Sequence, residues 1–472
     1  MERTIVLLLV GAGMALSGAA AAAESADPCL GCHAKRDPGI VNGWMASQHH
    51  RMEVGCLDCH GADPKDADAF KHNGHTIAII VSPADCAQCH EKEVDEQKGS
   101  HHAKAGQILG SLDNLLGEVV GGPAAVTAGC RQCHGSRVKV DARGRPTWDT
   151  WPNTGMGRIN PDGSLGSCSA CHARHEFSAA QARQPEACGK CHLGPDHPQM
   201  EVWEESKHGV LYRANREKMN LDKDAWVAGK DYHSGPTCAS CHMSAGGRQG
   251  VTHDVGERIS WTLRPPVSTK LNMVVYEDLS KEDINGEAPA LPAAGSTVRT
   301  GSGDKKVART MSWRERRGAM QDLCRQCHEP SFVDGAYRQF DDVVALYNDK
   351  FAKPAKAIMD DLRGAGRITG ADFDDPIEWT WYELWHHEGR RARHGAAMQG
   401  PDYAWWHGLY EVSKHFYEKF IPQIKQVAGE ALAQELLERH VYSQPGHQWH
   451  RDGMGREQLE KVRKFYEERY QQ

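Results

Sequence analysis

All sixteen cysteines of this sequence stand in one repeated five-residue pattern, Cys-x-x-Cys-His. The eight cysteine pairs are Cys29/Cys32, Cys56/Cys59, Cys86/Cys89, Cys130/Cys133, Cys168/Cys171, Cys188/Cys191, Cys238/Cys241 and Cys324/Cys327. The histidines that directly follow these pairs are His33, His60, His90, His134, His172, His192, His242 and His328. Because no cysteine is left over, a single chemistry accounts for all of them.

The pattern is the signal for covalent attachment of a c-type haem. The two thiols form thioethers with the haem vinyl groups, and the histidine binds the iron as its proximal ligand. Zinc sites also use paired cysteines, but they do not require a histidine directly after each second cysteine. Disulfides are expected in an exported protein, yet they would not impose this pattern eight times. The sequence therefore predicts eight c-type haems.

The other histidines are candidates for the second axial ligand of each iron. Eight of the 27 histidines belong to the motifs, which leaves 19 for seven irons if one iron stays open to a substrate. Several follow a serine in a polar, helix-compatible segment, as in Ser47-Gln48-His49-His50 and Ser100-His101-His102. A single histidine outside the motifs is more often a surface or hydrogen-bonded residue than an iron ligand. The prediction therefore depends on the large number of such histidines. The seven predicted distal ligands are His49, His75, His101, His175, His208, His253 and His394.

The elements that position these motifs are predicted to be mainly helical. Strand-like alternation is scarce, whereas residues 340–362 and 402–440 have apolar residues at helical spacing. A hydrophobic fraction of 39% and a mean hydropathy of -0.62 are low for a chain of 472 residues, and eight macrocycles would fill the interior that side chains do not. We expect a mainly α multihaem cytochrome with little strand, a haem-packed core and a C-terminal helical bundle.

Three regions are predicted along the chain. Residues 1–23 have a short apolar run with an alanine-rich end, which is typical of a secretory signal peptide, a membrane anchor being the alternative. Residues 24–328 hold the eight motifs, and the stretch 264–322 is expected to be an excursion with loops that ends at a helix near Trp313. Residues 329–472 are expected to form a helical region with subunit contacts, or else a plain helical cap over the haems.

The cleaved leader predicts a periplasmic protein that is soluble once exported. The formal net charge is -7 at pH 7, so no basic surface for nucleic acid is implied.

Three passages resemble the octahaem hydroxylamine oxidoreductase family. They run from Trp151 to Ser164 ahead of the fifth motif, from Ala182 to Gln199 around the sixth, and from Arg390 to Gly408. Together with the eight motifs, the similarity covers nearly the whole chain after residue 23. The resemblance implies a haem-dependent oxidoreductase of small nitrogen compounds.

The resemblance also implies a tyrosine cross-link. In oxidative family members a tyrosine from a neighbouring subunit is bonded to the catalytic haem, and such members are homotrimers. Tyr403 is the first candidate here because it lies in the best-matching passage, with Tyr410 and Tyr442 as alternatives. Each of these tyrosines is equally compatible with a place in the core, and members without the cross-link tend to be reductive.

A second passage is similar to the pentahaem cytochrome c nitrite reductases. It reads His197-Pro198-x-x-Glu201-x-Trp203, with His208-Gly209 and the seventh motif following. The five haems of that enzyme resemble the last five here, so its open-site haem corresponds to the fourth motif. That reductase has a lysine below the iron, whereas this motif ends in His134, as the hydroxylamine family does. The resemblance places Asp196 and His197 above the fourth haem.

Asp196 and His197 are residue types suited to moving protons at such a haem. A histidine that titrates near neutrality accepts the protons released by hydroxylamine oxidation, and an adjacent carboxylate fixes its orientation and tautomer. Run backwards, the same pair delivers protons to a bound nitrogen oxide. The alternative is that His197 is another distal ligand and Asp196 a helix cap.

Three functions are therefore weighed. The first is oxidation of hydroxylamine to nitric oxide or nitrite, with electrons passed to a periplasmic cytochrome. The second is reduction of nitrite or hydroxylamine toward ammonium, with electrons from a membrane quinol-linked cytochrome. The third is a non-catalytic electron-transfer cytochrome with every iron bound by two histidines.

Overall fold

The computed structural model describes residues 27–107, 116–287 and 290–470. The predicted signal peptide lies outside these described residues. Helices make up about 52% of the structure and strands about 10%, which confirms the predicted mainly α fold. Across the described ranges, each helix is too short or too polar to cross a bilayer.

Short helices alternate with irregular segments through the region of the first seven motifs. In chain order they are α1 (Leu30–Arg36), α2 (Pro38–Ala46), α3 (Gln48–Arg51), α4 (Cys56–His60), α5 (Pro83–Gly99), α6 (Gly122–Ala128), α7 (Cys130–His134), α8 (Ala179–Arg183), α9 (Glu186–Gly189), α10 (Gln199–Glu205), α11 (Lys207–Ala214) and α12 (Cys238–His242). A π-helical turn covers Gly117–Gly121, and 3₁₀ turns cover Cys168–Ala170 and Arg216–Met219. The start of α5 shows why a helix begins where it does, since Ser82 and Asp85 form a reciprocal capping box before Pro83.

A two-stranded hairpin lies between α4 and α5. Strand β1 (Phe70–His72) pairs antiparallel with β2 (His75–Ile77) across an Asn73-Gly74 turn. Both turn residues have positive φ, the conformation that Asn-Gly hairpin turns require. His72 and His75 are the cross-strand partners next to this turn.

A four-stranded antiparallel sheet occupies most of the stretch that was expected to be loops. Its strands are β3 (Leu271–Tyr276), β4 (Lys281–Asn285), β5 (Thr297–Thr300) and β6 (Gly303–Met311), in the order β4-β3-β6-β5. Five of the six residues of β3 are buried, including the polar Asn272, so the strand does not show the alternation of a sheet with one exposed face. The edge strands β4 and β5 carry charged side chains, so their sequences lack the hydrophobic alternation that would have predicted strands.

The helix expected near Trp313 is present as α13 (Trp313–Cys324), and the rest of the chain is helical. The later helices are α14 (Pro330–Tyr347), α15 (Lys353–Gly364), α16 (Pro376–Tyr382), α17 (Gly389–Met398), α18 (Pro401–Ala404), α19 (Glu411–His415), α20 (Ile421–Ala428), α21 (Glu430–Leu437), α22 (Gln448–Asp452) and α23 (Arg456–Tyr470). Five π-helical turns join them, at Asn348–Ala352, Glu383–Glu388, Trp405–Tyr410, Phe416–Phe420 and Glu438–Tyr442.

The largest hydrophobic cluster of the described residues lies entirely within this C-terminal region. It runs from Tyr347 to Tyr442 and includes Ile358, Leu362 and Phe416, all of which are fully buried. Helix α17 packs so closely on the segment that follows it that a Cβ at Gly395 would collide with the backbone of Ala404. Helix α17 is thereby fixed between this core and the motif-bearing region.

Candidate active site

Several Cys-x-x-Cys-His motifs form a single helical turn with the first cysteine at its start. Helices α4, α7 and α12 each consist of one motif and nothing else. A turn of helix places residues three apart on the same face, so both thiols of a motif point to one side. All sixteen thiols are unbridged in the structure, as thioether attachment of haem requires.

The second cysteines of three motifs are the most accessible of the sixteen. Cys32, Cys89 and Cys327 are exposed, whereas the other thirteen cysteines are partly covered. Gly31 beside Cys32 and Gln88 beside Cys89 are exposed as well.

Three motif histidines are oriented by hydrogen bonds to Nδ1. Nδ1 of His33 lies 2.7 Å from a carboxylate oxygen of Asp37, and Nδ1 of His60 lies 2.9 Å from the carbonyl oxygen of Ala78. Nδ1 of His242 contacts the carbonyl oxygen of Val255 at 3.1 Å. Metal-binding histidines commonly donate their second N–H in this way, which leaves Nε2 directed at the metal.

Five motif histidines face a second histidine at the separation that an iron would span. A ligand nitrogen lies about 2 Å from its metal, so two axial imidazoles on one iron have ring centres roughly 6 Å apart. The observed pairs are His33–His72 at 6.1 Å, His49–His90 at 6.2 Å, His60–His175 at 6.4 Å, His102–His192 at 6.0 Å and His208–His328 at 6.0 Å. His192 also lies 6.2 Å from His197, but Nε2 of His197 faces the carbonyl oxygen of Cys191. The residues present therefore fit bis-histidine haems at these five motifs.

The predicted distal ligands His49, His175 and His208 are all members of these pairs. At two motifs the structure differs from the prediction by a close neighbour, and His72 and His102 take the places expected for His75 and His101. Nε2 of His101 instead lies 2.8 Å from a carboxylate oxygen of Asp283 in β4. The sheet that supplies this partner was not predicted, and it draws His101 away from the position of a ligand.

The other two predicted distal ligands have different surroundings. His253 lies beside His172, and burial together with the charge of His253 lowers the pKa of His172 to about 4. His394 is buried, and its Nε2 lies 3.2 Å from the side-chain amide nitrogen of Gln199, so its role as a ligand stays a prediction. The carbonyl oxygen of the Gln199 side chain lies 3.4 Å from Nδ1 of the motif histidine His192. Gln199 therefore connects His394 to His192.

Thiols of different motifs contact one another and show which motifs are neighbours. Each of four thiol pairs lies close enough for one thiol to raise the pKa of the other: Cys29 and Cys56, Cys168 and Cys86, Cys238 and Cys188, and Cys133 and Cys191. The spatial order therefore differs from the order along the chain. The third motif adjoins the fifth, and the fourth motif adjoins the sixth.

Asp196 and His197 form an ion pair beside the fourth and sixth motifs. Nδ1 of His197 lies 2.5 Å from a carboxylate oxygen of Asp196, and its Nε2 donates to the carbonyl oxygen of Cys191 at 2.9 Å. The thiol of Cys191 in turn contacts that of Cys133. Both ring nitrogens of His197 thus have acceptors, which argues against a role as a distal ligand. Helix α10 has no side-chain cap, so Asp196 is not its cap either.

The pair keeps both of its members charged. Burial opposes the charge of Asp196, but the hydrogen bond and charge of His197 outweigh it, and the pKa of Asp196 falls to about 2. Burial likewise disfavours the imidazolium of His197, but the hydrogen bond that its Nδ1–H donates to Asp196, together with the charge of that carboxylate, outweighs this effect and raises the pKa of His197. The imidazolium of His197 therefore persists to higher pH than that of an unperturbed histidine.

Two site residues were missed by the sequence analysis, Arg390 and His386. Arg390 lies on α17 with its guanidinium 3.3 Å from Asp196 and 2.9 Å from Nε2 of His386. His386 belongs to the preceding π turn and lies 4.0 Å from Asp196. The four-residue spacing of His386 and Arg390 on a helix was a signal that they share a face. Their distance along the chain from Asp196 concealed the contact.

Tyr403 lies on α18, next to the end of α10. Its backbone N–H lies 3.5 Å from Glu205 at the end of α10, and its ring centre lies 5.5 Å from that of His407. Burial and the nearby carboxylates Glu201 and Glu205 raise the pKa of the Tyr403 phenol. The side chain is partly exposed, as is that of Tyr410.

Family models match two parts of the chain. Residues 155–285 match the model described as seven times multi-haem cytochrome CxxCH, and residues 12–61 match cytochrome c554 and c-prime. These matches indicate c-type haems in a multihaem cytochrome.

Two curated proteins are similar in sequence. A probable nitrite reductase-hydroxylamine oxidoreductase fusion protein of Kuenenia stuttgartiensis is 25% identical over 81% of this chain and 49% of its own length. A high-molecular-weight cytochrome c of Nitratidesulfovibrio vulgaris is 27% identical over 43% of this chain and 36% of its own length. The chain thus spans about half or less of the curated relatives that it matches.

Solved structures of the same fold include a hypothetical multihaem protein, with a TM-score of 0.66 and 26% identity over 87% of this chain and 95% of that one. They also include the reducing HAO-like protein complex of Kuenenia stuttgartiensis, with a TM-score of 0.57 and 20% identity over 87% and 85%. The chain is a multihaem c-type cytochrome, and its resemblance to the hydroxylamine oxidoreductases is confirmed.

Proposed function

We propose that this chain is an octahaem cytochrome that oxidises hydroxylamine to nitric oxide or nitrite at an open-site haem on the fourth motif. The remaining haems would pass the electrons onward. The observation that carries the proposal is the Asp196–His197 ion pair, which is linked to Cys133 of that motif through Cys191. A bound haem supplies the electron transfer and the coordination position for the nitrogen compound.

The residues of this chain would handle the protons. Hydroxylamine loses protons as it loses electrons, and a group close to the reacting nitrogen must accept them. Once His197 has released its proton, its imidazole would accept one from the substrate. Asp196 holds the ring in place by accepting a hydrogen bond from Nδ1. Arg390 and His386 fix the other side of the Asp196 carboxylate, so the acceptor is held in one orientation.

Reduction of nitrite or hydroxylamine toward ammonium is the second candidate, and a specific observation favours it. Both ring nitrogens of His197 have acceptors, so the resting ring is a proton donor. With Arg390, the site then holds two cationic side chains against the single carboxylate of Asp196. An excess of positive charge attracts an anion such as nitrite more than neutral hydroxylamine.

Two measurements on the purified protein test the proposal. Cyanide or carbon monoxide is expected to perturb the absorption of one haem, because one iron lacks a sixth protein ligand. Turnover of hydroxylamine with an oxidising acceptor supports the first candidate, and turnover of nitrite only with a strong reductant supports the second. If neither ligand perturbs any haem, the protein is an electron-transfer cytochrome and both enzymatic candidates are wrong.

The haem count and the tyrosine cross-link belong to the same proposal. Intact mass and peptide mapping are expected to show eight haems on the sixteen cysteines. The oxidative candidate further predicts a bond between one haem and a tyrosine, for which Tyr403 is the first choice and Tyr410 the second. The partial exposure of both rings leaves them accessible to a neighbouring copy.

Assembly and location complete the proposal. We place the protein in the periplasm, with a periplasmic cytochrome or a membrane quinol-linked cytochrome as its electron partner, and we propose a homotrimer. Support for subunit contacts comes from α23, in which every residue is exposed. Leu459, Val462, Tyr466 and Tyr470 form an apolar stripe along this helix that nothing in the described chain covers.

A further inference from the structure

Two consecutive histidines stand opposite the sixth motif, and they make different contacts. The ring of His102 faces that of His192 with 6.0 Å between centres, the separation of two axial ligands on one iron. The ring of His101 turns elsewhere, since its Nε2 lies 2.8 Å from a carboxylate oxygen of Asp283. This contact joins the histidine segment to β4, which lies 182 residues further along the chain.

Asp283 is itself held by a buried arginine on α13. Nη1 of Arg316 donates to the other carboxylate oxygen of Asp283 at 2.6 Å, and only 2% of the arginine side chain is exposed. Two other nitrogens of the guanidinium donate to backbone carbonyl oxygens, Nε to Glu257 at 3.2 Å and Nη2 to Gly256 at 2.7 Å. Because these bonds fix the planar guanidinium, they also fix the carboxylate that it binds.

Two further contacts hold the histidine segment against the hairpin of β3 and β4. Nζ of Lys104 donates to the carbonyl oxygen of Lys281 at 3.3 Å. At the other end of the segment, Gly99 packs so closely that a Cβ there would lie 2.8 Å from the carbonyl oxygen of Leu279. His101 lies between these two contacts, so its bond to Asp283 is the middle one of three attachments.

The attachments restrict His102 because it lies among them. When the ring of His101 is bound, the backbone torsions that it shares with the next residue lose much of their freedom. The ring planes of His102 and His192 are tilted by 48° from each other. Groups that support a metal ligand from outside set its orientation, and the axial ligands of a haem tune its reduction potential.

The bond between His101 and Asp283 contributes little to the stability of the fold. The His101 side chain is 52% exposed, and ion pairs and hydrogen bonds at such positions are weak in water. Loss of the His101 ring is therefore expected to leave the protein folded. Any effect of that loss on a haem would then come from the position of His102.

We propose that Asp283, fixed by Arg316, is a positioning residue for the distal ligand of the sixth-motif haem. It binds His101 and thereby directs His102 toward the iron on the side opposite His192. The four-stranded sheet contains no haem motif, and this contact gives it a role in setting the potential of a haem. That haem belongs to the motif beside the fourth.

The test follows the low-spin ferric signals of the oxidised holoprotein by electron paramagnetic resonance, which responds to the orientation of axial imidazoles. His102→Ala identifies the signal of the sixth-motif haem, because this signal is lost. His101→Ala is expected to move or remove the same signal and to shift one step of a spectroelectrochemical titration. His101→Gln is expected to restore the wild-type signal, since its amide can donate to Asp283 in place of the imidazole Nε2.

A double-mutant cycle places the effect on the contact itself. Asp283→Ala should change the same signal as His101→Ala, and the double variant should change it no further. Asp304→Asn is the matched control, since this carboxylate pairs with Arg299 at 3.1 Å in the same sheet, and it should leave every signal in place. Where Asp283→Ala yields no holoprotein, the two His101 variants decide.

Three results would overturn the proposal. The first is a wild-type signal and titration in His101→Ala. The second is a change in His101→Gln as large as that in His101→Ala, which would make the imidazole of His101 an iron ligand. The third is a set of low-spin signals that His102→Ala leaves intact. None of these readouts depends on turnover of a nitrogen compound.

Discussion

Asp196 faces three groups that are cationic or become so on protonation. His197 lies on one side, and His386 and Arg390 lie on the other. Arg390 also donates from Nε to the carbonyl oxygen of Arg264 at 2.8 Å, so its position is set by the backbone. The ring of Tyr382 stacks on His386 with 4.3 Å between centres. The carboxylate is therefore locked in the orientation that His197 needs.

The pH dependence of turnover is predicted to reveal the direction of the reaction. Oxidation needs neutral His197 as a proton acceptor, so kcat/KM for hydroxylamine should rise as pH rises through the raised pKa of His197. Reduction needs protonated His197, so kcat/KM for nitrite should fall across the same range. Asp196→Asn removes the charge that raises this pKa, and the midpoint should move to lower pH. An unmoved midpoint would show that another group governs the profile.

Loss of the His197 imidazole is predicted to impair turnover without loss of haem. His197→Ala should lower kcat roughly 100-fold or more, the usual contribution of a positioned acid–base group. The mass and the absorption spectrum should still report every haem, because the two ring nitrogens of His197 contact Asp196 and the carbonyl oxygen of Cys191. His50→Ala is a suitable control, since that ring stacks on Trp44 at 4.3 Å. A changed haem spectrum with turnover intact would contradict the proton-transfer role.

At the scale of single residues, the sequence predicted those site residues that are neighbours along the chain. Asp196 and His197 are adjacent, and a contiguous motif identified them. Arg390 lies 194 residues from Asp196, and its contact depends on how α17 packs against the motif-bearing region. Residue types alone do not define that packing.

The hairpin β1–β2 shows the limits of prediction at the level of elements. Two histidines flank its Asn-Gly turn, and the sequence favoured His75 as the ligand. Strand pairing places His72 across from His33 instead, with His75 as its cross-strand partner. Which of two such residues faces a neighbouring helix depends on the position of the whole hairpin, and sequence spacing does not specify it.

This choice between the two histidines is open to a spectroscopic test. His72→Ala should convert one haem from a low-spin to a high-spin iron, because the iron of the first motif loses its second axial ligand. His75→Ala should leave the spin state of every haem unchanged and serves as the matched control. High-spin signal in the His75 variant alone would restore the assignment made from the sequence.

For the whole molecule, the fold class and the haem-binding role followed from eight motifs and helical periodicity. The spatial order of the motifs did not, because contacts such as Cys86–Cys168 and Cys133–Cys191 bridge distant segments. Those contacts place the fourth motif beside the sixth and join the third directly to the fifth. Electrons from the proposed active site would therefore enter the haem chain through the sixth motif.

The subunit contact proposed for α23 is testable by truncation. Removal of the residues after Gly455 should lower the molar mass in solution to that of a single chain, because the exposed apolar stripe is lost. Leu459 and Val462, which are 48% and 51% exposed, are the residues expected to lose most contact. Light scattering after size-exclusion chromatography measures the mass.

A substitution that removes a charge on the same helix tests whether the apolar stripe, and not the rest of the helix, is responsible for the assembly. Lys464→Ser keeps the apolar residues and should leave the assembly intact. An unchanged molar mass after truncation would place the subunit contacts elsewhere.

The largest hydrophobic cluster runs from Tyr347 to Tyr442, and no Cys-x-x-Cys-His motif lies within that range. Its residues attach no haem, whereas all eight motifs lie at or before His328. Maturation of the newly made chain would then proceed in two stages, with the carboxyl-terminal third collapsing early. The amino-terminal two thirds would remain open to the enzymes that load haem until each site is filled.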